Sequence, residues 1–426
     1  MSFDAPVAFR QNIAIVGAGI SGMAAARLLS PQYKVTLFEA DPRLGGHART
    51  VTAGLHGDQP VDTGFIVFNY ANYPHLTRMF ADLDVPVMKS DMSFGASING
   101  GAVEYALRDL GGIFGQRRNI ARPQFLRMLR DIDRFNRHSQ AAVKTDDMTT
   151  AELVRELGLG DWFSRYYLLP ICGAIWSTPP NEVNSFPARS LLRFFSNHAL
   201  MSTKGQHQWW TVEGGSIQYV HRLEQDLRRR RVDLRPATPV QAVTRLAGSV
   251  LIKAEGATVE RFDQVVFACH SDLALRLLQD PSPAEREALS AIRYQDNRAV
   301  LHRDSTQMPR RKRCWSAWNY MSDGNATNAK VGVTYWMNRL QNIPQSDPLY
   351  LSLNPDASIA EDLIYDENNF RHPVFDGKAL AAQKDLARIQ GRNSTWFTGA
   401  YMRHGFHEDG FASAVRVARQ LDPVLA

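Results

Sequence analysis

Residues 12–39 read NIAIVGAGISGMAAARLLSPQYKVTLFE, and this stretch decides the fold. Its pattern predicts a buried strand over 12–16, a helix over 20–29 and a second strand that ends at Glu39, which together begin a βαβ unit. The motif G-A-G-I-S-G starts at Gly17, follows the first strand and opens the helix. An acid 22 residues after Gly17 completes the spacing of a dinucleotide-binding fingerprint.

Each glycine of this turn has its own task. Gly17 permits the tight turn, Gly19 lets backbone N–H groups approach a pyrophosphate, and Gly22 lets the helix pack on the sheet. The helix N-terminus adds positive potential, and Glu39 is expected to accept from a ribose hydroxyl. The cofactor-binding residues predicted from this stretch are Gly17, Ala18, Gly19, Ile20, Ser21, Gly22, Glu39 and Ala40.

The composition bounds the class of protein. With 426 residues and 44% hydrophobic content the chain can bury a large core, and we expect two interleaved domains. Arginine outnumbers lysine by 40 to 9 and the formal net charge is +6, which favours phosphate or anionic-surface contacts. Three cysteines without a CxxC pair argue against a disulfide framework and a zinc site. No secretory signal precedes the first strand, so we expect a cytoplasmic protein.

Further strand patterns follow downstream. Apolar runs at 264–269 and 395–398 are typical of buried strands, so pieces of the nucleotide domain recur along the chain. Between 86 and 107, two strand-like runs flank Asn99-Gly100-Gly101, which predicts a hairpin. We expect an antiparallel sheet over a substrate pocket from four later runs, at 299–303, 314–321, 331–337 and 349–353.

A series of further motifs runs to the end of the chain. They are Arg43-Leu-Gly-Gly46, Asp62-Thr-Gly-Phe65, Val212-Glu-Gly-Gly215, Pro239-Val240, Phe397-Thr-Gly399 and Gly410-Phe411. Together with the opening turn, this series resembles the flavin amine oxidase and phytoene desaturase superfamily. The resemblance implies FAD as cofactor, and FAD bound non-covalently, because no cysteine follows Cys314.

The resemblance also implies an α/β fold. An FAD-binding, Rossmann-like domain (1–75, 205–290 and 385–426) is expected to be interleaved with a substrate domain of antiparallel sheet plus helices (76–204 and 291–384). No second fingerprint occupies a strand-turn-helix context, so we expect electrons to leave to oxygen, a quinone or another carrier rather than to come from NAD(P)H.

The family motifs assign more residues to FAD. The second glycine pair carries the chain past the diphosphate and ribityl, and a valine backbone contacts adenine. The last helix, which is expected to open at Gly410-Phe411, faces N1 and the C2 carbonyl of the flavin. The residues so implied are Arg43, Gly45, Gly46, His47, Ala48, Thr63, Gly64, Phe65, Ile66, Val240, Gly399, Gly410 and Phe411. His47 stands where the family often has arginine, and Ala400 where it usually has an acid.

The middle of the chain resembles one subgroup. Ala174-Ile-Trp-Ser177, Trp318-Asn-Tyr320 and Gly405-Phe-His-Glu-Asp-Gly410 are similar to bacterial flavoproteins that resemble the N-terminal half of plant cyclopropane fatty acid synthases. This implies an unsaturated or methyl-branched fatty acyl chain of a membrane lipid as substrate, a new double bond formed by hydride transfer to flavin N5, and a partner methyltransferase. Weak catalytic candidates for moving the proton are Tyr320, Tyr335 and His407.

Other functions stay open. Members of the superfamily also isomerise double bonds of fatty acids or oxidise amines, and Lys330 is the nearest match to the lysine of the amine oxidases. A non-catalytic FAD-binding subunit that scaffolds a methyltransferase is a further alternative. Aromatic residues that could line an acyl tunnel can equally be ordinary core: Trp209, Trp318, Tyr320, Tyr335 and Trp336.

Helix 122–138 is amphipathic. Its cationic face carries Arg127, Arg130, Arg134 and Arg137, so it could lie on an anionic membrane at the inner face of the cell. A solvated helix packed on its own domain explains the same pattern, since acids interrupt the positive face. The basic tract 228–231 ends a helix and does not suffice to predict nucleic-acid binding. No metal site is predicted.

Overall fold

A computed structural model describes the chain in seven pieces. They are residues 11–145, 147–176, 180–197, 201, 207–322, 332–355 and 357–422. Two positions singled out in the sequence, Ser177 and Lys330, lie outside the described residues.

Within these pieces the chain forms twenty strands. In chain order they are β1 (Asn12–Val16), β2 (Lys34–Phe38), β3 (Thr50–Ala53), β4 (Gln59–Asp62), β5 (Val67–Phe68), β6 (Val87–Ser90), β7 (Phe94–Ile98), β8 (Val103–Ala106), β9 (Trp209–Val212), β10 (Asp233–Arg235), β11 (Val240–Leu246), β12 (Ser249–Ala254), β13 (Glu260–Phe262), β14 (Gln264–Phe267), β15 (Tyr294–His302), β16 (Trp318–Ser322), β17 (Gly332–Trp336), β18 (Tyr350–Leu353), β19 (Ile364–Pro373) and β20 (Thr395–Phe397).

The same pieces form fifteen α-helices. They are α1 (Ile20–Leu29), α2 (Pro74–Asp82), α3 (Leu110–Ile113), α4 (Pro123–Ala142), α5 (Thr150–Glu156), α6 (Asp161–Phe163), α7 (Leu169–Trp176), α8 (Pro180–Ser185), α9 (Ala188–Asn197), α10 (Ile217–Arg229), α11 (Ser271–Leu277), α12 (Pro283–Ser290), α13 (Met337–Leu340), α14 (Gly377–Ile389) and α15 (His407–Leu421). In the described part of the chain, no helix has both the length and the apolarity to cross a bilayer.

The nucleotide half is built on a five-stranded sheet in the order β10-β2-β1-β14-β20, with every pair parallel. The α/β prediction and the β1-α1-β2 unit are confirmed. Side chains of β1 alternate between two cores, with Ile13 and Ile15 facing α1, α10 and α15, and Ala14 and Val16 facing α11 and α14. In this sheet β2 lies on one side of β1 and β14 on the other. The carboxyl end of β1 is therefore a switch point, where such sheets bind ligands in a crevice.

The second large sheet has the order β19-β15-β18-β17-β16-β7-β8. Its neighbours β15, β18, β17 and β16 are antiparallel, as expected, whereas β16 pairs with β7 in parallel. The predicted hairpin is β7–β8, whose turn holds positive φ at Asn99, Gly100 and Gly101. The edge strand β19 was not predicted.

Helices α4 to α9 cover one face of this sheet. Helix α4 turns its apolar side inward, where Phe125 and Phe135 are fully buried. A single π-helical turn over Ser164–Leu168 joins α6 to α7. The two sheets use the segments expected of the two domains, while the exact domain boundaries stay a prediction.

Candidate functional site

The opening turn has the geometry of a phosphate-binding turn. Gly17 has φ +103°, and its N–H donates to the Phe38 carbonyl at 2.8 Å. A Cβ at Gly22 would lie 1.8 Å from the Gly17 oxygen, whereas a Cβ at Gly19 would meet no atom within 4 Å. The backbone at Gly19 therefore faces open space at the N-terminus of α1, where a diphosphate can approach N–H groups.

Glu39 lies at the carboxyl end of β2, beside the turn. One carboxylate oxygen accepts from the Ala18 N–H at 2.7 Å and the other from the Asp41 N–H at 3.0 Å. A carboxylate has about four lone-pair sites, so both oxygens can still accept from ribose hydroxyls. The Thr238 N–H donates to the Glu39 carbonyl at 2.7 Å, which places Val240 near this end of the strand.

The second glycine pair lies against the first. Gly45 and Gly46 both have positive φ, and a Cβ at Gly46 would lie 3.0 Å from the Gly19 Cα. The guanidinium of Arg43 donates to the carbonyls of Gly46 at 2.7 Å and Ala48 at 3.1 Å. Arg43 therefore shapes the turn itself, in addition to any contact with a ligand.

The segment Thr63–Ile66 runs beside this pair. The Phe65 N–H donates to the His47 carbonyl at 2.9 Å, and a Cβ at Gly64 would lie 2.0 Å from that same oxygen. Only glycine fits at position 64 with this backbone pairing.

Asp62, directly before that segment, is a structural centre that sequence reasoning missed. Its carboxylate accepts from the Ser216 N–H and hydroxyl, the Thr50 hydroxyl and the Gln341 amide, at 2.6 to 3.0 Å. Burial raises the pKa of Asp62 to about 6, although these donors favour its charged form. Asp62 therefore links β4 to the Gly-Gly turn before α10 and to Gln341, which directly follows α13.

The closing helix completes the crevice. Helix α15 begins at His407, three residues before the predicted start at Gly410, because the Asp409 carboxylate accepts from the Phe406 N–H at 3.0 Å. A Cβ at Gly410 would lie 2.7 Å from the Ser21 hydroxyl, so α15 packs directly on the start of α1. Gly399 is held by a 2.9 Å bond to the Ser413 hydroxyl, and Phe411 is buried beside His75.

These residues fit FAD. The positive-φ glycines, the open space at Gly19, the acid at the end of β2 and the start of α15 all lie around the carboxyl end of β1. They would hold the diphosphate at the two glycine turns and the ribose at Glu39.

Three histidines from separate segments meet here, and sequence reasoning grouped none of them. The ring of His47 lies 5.8 Å from that of His270 and 5.7 Å from that of His372. Burial lowers the pKa of His270 to about 4 and of His372 to about 3, and also lowers that of His47. At neutral pH the cluster therefore offers uncharged donors and acceptors.

A chain of amides fixes the tautomer of His372. The Arg298 N–H donates to Asn354 Oδ1 at 3.0 Å, so Asn354 Nδ2 donates to Asn297 Oδ1 at 2.9 Å. Asn297 Nδ2 must then donate to Nδ1 of His372, 3.2 Å away. Neutral His372 thus carries its proton on Nε2.

The three catalytic candidates lie in two places. His407 stacks on Phe65 at 4.0 Å between ring centroids, and its Nε2 lies 2.6 Å from the Tyr219 hydroxyl. Tyr335 lies on β17, edge-to-face with Trp318 at 5.2 Å. Tyr320, on β16, is buried in the core of the substrate domain. Their catalytic roles stay a prediction.

Burial sets the protonation of two of these groups. It lowers the pKa of His407 to about 3, so its imidazole is neutral. It raises the pKa of Tyr335, so its phenol stays protonated. In the part of the chain that the structure describes, no group of three His, Cys, Asp or Glu side chains is arranged to hold a metal ion.

Comparison with known families decides the class. The model of the family "flavin containing amine oxidoreductase" matches residues 20–302, about two thirds of the chain. The chain belongs to this family. It is a flavin oxidoreductase, and its cofactor is FAD.

Individual relatives are more distant. Protoporphyrinogen oxidase 2 of Arabidopsis thaliana is 49% identical over 55 residues, which cover 12% of this chain and 11% of that enzyme. A fatty acid isomerase of P. acnes that produces CLA matches with a TM-score of 0.69 at 15% identity, over 97% of this chain and 99% of the other. Cyclohexylamine oxidase of Brevibacterium oxydans matches with a TM-score of 0.66 at 17% identity, over 97% and 100%. These structural likenesses show the shared fold.

Proposed function

We propose that this flavoenzyme introduces a double bond into a fatty acyl chain, unsaturated or methyl-branched, of a membrane lipid. Bound FAD would accept at N5 the hydride of one C–H bond while the neighbouring carbon loses a proton, and the electron pair left by that proton would form the C=C bond. Oxygen, a quinone or another carrier would then take up the two electrons. FAD supplies the hydride acceptor; the chain must supply a dry, apolar channel and a place for the proton.

The aromatic side chains that pack around Phe406, the residue before α15, carry this proposal. Phe406, which precedes His407, stacks on Phe194 of α9 at 5.1 Å, and both pack with the core of the substrate domain. Half-buried Trp209 and Trp318 pack against the same core. Aromatic side chains of this kind suit the apolar surface of an acyl chain.

Burial affects two of the candidates differently. His407 is neutral at pH 7 and its Nε2 lies within hydrogen-bond distance of the Tyr219 hydroxyl, but its lowered pKa makes it a weak base. Tyr335 keeps its proton because burial raises its pKa, so it can donate a hydrogen bond but not act as a base at neutral pH. Of these two, His407 is the one with a basic lone pair at neutral pH, and we propose it as the proton acceptor.

The test is anaerobic mixing of the FAD-loaded protein with phospholipids that carry unsaturated or methyl-branched chains. Loss of the yellow flavin band together with acyl chains lighter by two hydrogens is the expected result. Bleaching by amines instead would assign amine oxidation, for which Lys330 is the sequence candidate. No bleaching with any of these compounds would contradict the proposal and favour a scaffold for a partner methyltransferase.

Double-bond isomerisation is the second candidate, favoured by the full-length structural likeness to the P. acnes fatty acid isomerase. It uses the same hydride removal followed by hydride return. Acyl chains of unchanged mass with a moved double bond, formed without consumption of any electron acceptor, would identify it.

A further inference from the structure

A cationic cleft lies beside α3, at the end of the substrate sheet. It has a volume of about 550 Å³ and is lined by Gly115, Gln116, Arg117, Arg118, Arg311, Lys312 and Arg313. The segments 104–122 and 308–316, which form this region, contain eight Arg or Lys residues and two acids. One of these acids, Glu104, is fully buried and accepts from the Arg311 guanidinium at 2.7 Å. The surface of this region is therefore strongly positive.

Exposed aliphatic side chains surround the cleft. Leu110 on α3 is 75% exposed, Ile120 is 57% exposed and Leu126 at the start of α4 is 40% exposed. Among the described residues, seven large hydrophobic side chains are at least 40% exposed. Three of these seven lie between residues 110 and 126. Exposed apolar groups beside clustered cations are typical of an interaction surface.

Buried amides fix this surface to the sheet. Gln116 accepts from the Glu104 N–H at 3.1 Å and donates to the Gly101 carbonyl at 3.0 Å, and Asn119 donates to the Glu104 carbonyl at 3.0 Å. Arg108 donates to the carbonyls of Trp315 and Arg313 at 3.3 and 3.4 Å, which joins the two segments. The cations are thus presented by a defined backbone.

We propose that this surface, residues 108–122 with 310–313, docks the protein on an anionic lipid bilayer. Its cations complement the phosphate and carboxylate groups of the membrane surface, and Leu110 and Ile120 enter the boundary between headgroups and acyl chains. A nucleic acid would share the charge complementarity, but the exposed apolar groups here are aliphatic and offer no ring for base stacking.

This position differs from the one that the sequence suggested. In α4, Arg127 lies 3.8 Å from Asp131, Arg137 lies 2.9 Å from Asp133, and Arg134 donates to the Leu157 carbonyl. The apolar side of α4 is buried in the core. The helix uses most of its apolar face inside the protein and exposes Leu126 in its first turn, whereas the surface just before it exposes Leu110 and Ile120. The proposal does not depend on acyl-chain chemistry.

Sedimentation with vesicles tests the proposal. The full-length, FAD-loaded protein is mixed with vesicles of phosphatidylcholine alone or of two parts phosphatidylcholine to one part phosphatidylserine. We expect binding to the anionic vesicles that weakens as salt is added. The double variants Leu110→Asp with Ile120→Asp, and Arg117→Glu with Arg118→Glu, should each lower the bound fraction at least fivefold.

A matched control is Leu246→Asp with Val259→Asp, which adds the same charge at exposed aliphatic positions elsewhere. It should bind like the wild type, and all variants should keep the wild-type melting temperature and flavin content. Equal binding of the wild type and the two cleft variants overturns the proposal. Tighter binding to duplex DNA than to anionic vesicles overturns it as well. Because no turnover is measured, failure of the desaturase proposal would not affect the result.

Discussion

Gly22 and Gly19 of the opening turn differ in the space that surrounds them. A Cβ at Gly22 would collide with the Gly17 carbonyl at 1.8 Å, so position 22 is fixed by the fold. Gly19 has φ −69° and ψ −177°, an extended backbone that any residue adopts, and it has open space where its side chain would be. The fold therefore does not require glycine at position 19, and we expect the ligand to require it.

Gly19→Ala should separate folding from cofactor binding. The protein without FAD should melt near the wild-type temperature, since the entropic gain of about 0.4 to 1 kcal/mol from replacing glycine is offset by the poorer capping of α1 by alanine at its N-cap. The FAD affinity should fall at least tenfold, because the methyl group fills the space that the diphosphate approaches. Thermal melting of the apoprotein and quenching of flavin fluorescence give the two readings.

Gly377→Ala is the control, since its Cβ also meets no atom within 4 Å and it lies at the start of α14. Because Gly377 lies inside the helix, directly after the N-cap Asp376, its replacement by alanine should stabilise the protein slightly and leave the FAD affinity unchanged. An unfolded Gly19→Ala apoprotein, or wild-type FAD affinity in that variant, would contradict the assignment.

At the scale of elements, the sequence predicted those with an uninterrupted apolar pattern. β1, α1 and β2 agree with the prediction within one residue. β19 was not predicted because only Phe370 among its ten residues is buried. This strand at the edge of the sheet therefore lacks the alternation of apolar and polar residues by which a strand is recognised. The start of α15 was misplaced because a carboxylate three residues into the helix, rather than a serine or threonine before it, caps the first turn.

The candidate site also has one part that the sequence could predict and one part that it could not. Its glycine turns are local in sequence and could be predicted, whereas His47, His270 and His372 converge only through the pairing of distant segments. One signal was available for His270, which follows β14 closely: carboxyl ends of neighbouring parallel strands lie at one edge of a sheet. No such signal existed for His372 on the unpredicted β19.

Glu408 couples α15 to α2. Its two carboxylate oxygens accept from the N–H groups of His75 and Leu76 at 3.0 Å each, in the first turn of α2. Burial raises the pKa of Glu408 from 4.5 to about 7. Because the folded-state pKa lies above the unfolded value, ionisation opposes folding, and stability is lost as pH rises from about 4.5 to 7.

Glu408→Gln should therefore become progressively more stable relative to the wild type over that pH window. Between pH 4.5 and 7, the free energy of unfolding of the variant relative to that of the wild type should rise by roughly 3 kcal/mol, at 1.36 kcal/mol for each unit of pKa shift. Above pH 7 this difference should stay constant. At the acidic end the variant should be the less stable, because its amide nitrogen cannot accept from α2. Urea unfolding at several pH values measures this.

A difference between Glu408→Gln and the wild type that stays constant from pH 4.5 to 7 would show that Glu408 is ionised alike in the folded and unfolded chains.

At the scale of the whole molecule, the sheet whose carboxyl end we expect to hold FAD is built from parts of the chain that are far apart in sequence. The parallel sheet draws β1 and β2 from the first 38 residues, β10 and β14 from the middle and β20 from the end. Asp62 joins β4 to the turn before α10 and to α13 in the substrate half. A ligand bound at the carboxyl end of β1 should therefore stabilise both halves together.

FAD at about 100 times its dissociation constant should add about 2.7 kcal/mol to the free energy of unfolding. For a chain of this size the melting temperature should rise by several degrees, and the substrate half should unfold in the same transition as the nucleotide half. Differential scanning calorimetry with and without FAD measures both, with Gly19→Ala at the same FAD concentration as the control that shows a much smaller rise. A separate, FAD-independent transition would mean that the links through Asp62 do not couple the two halves, and the sheet formed by residues 94–106 and 294–373 would then unfold independently.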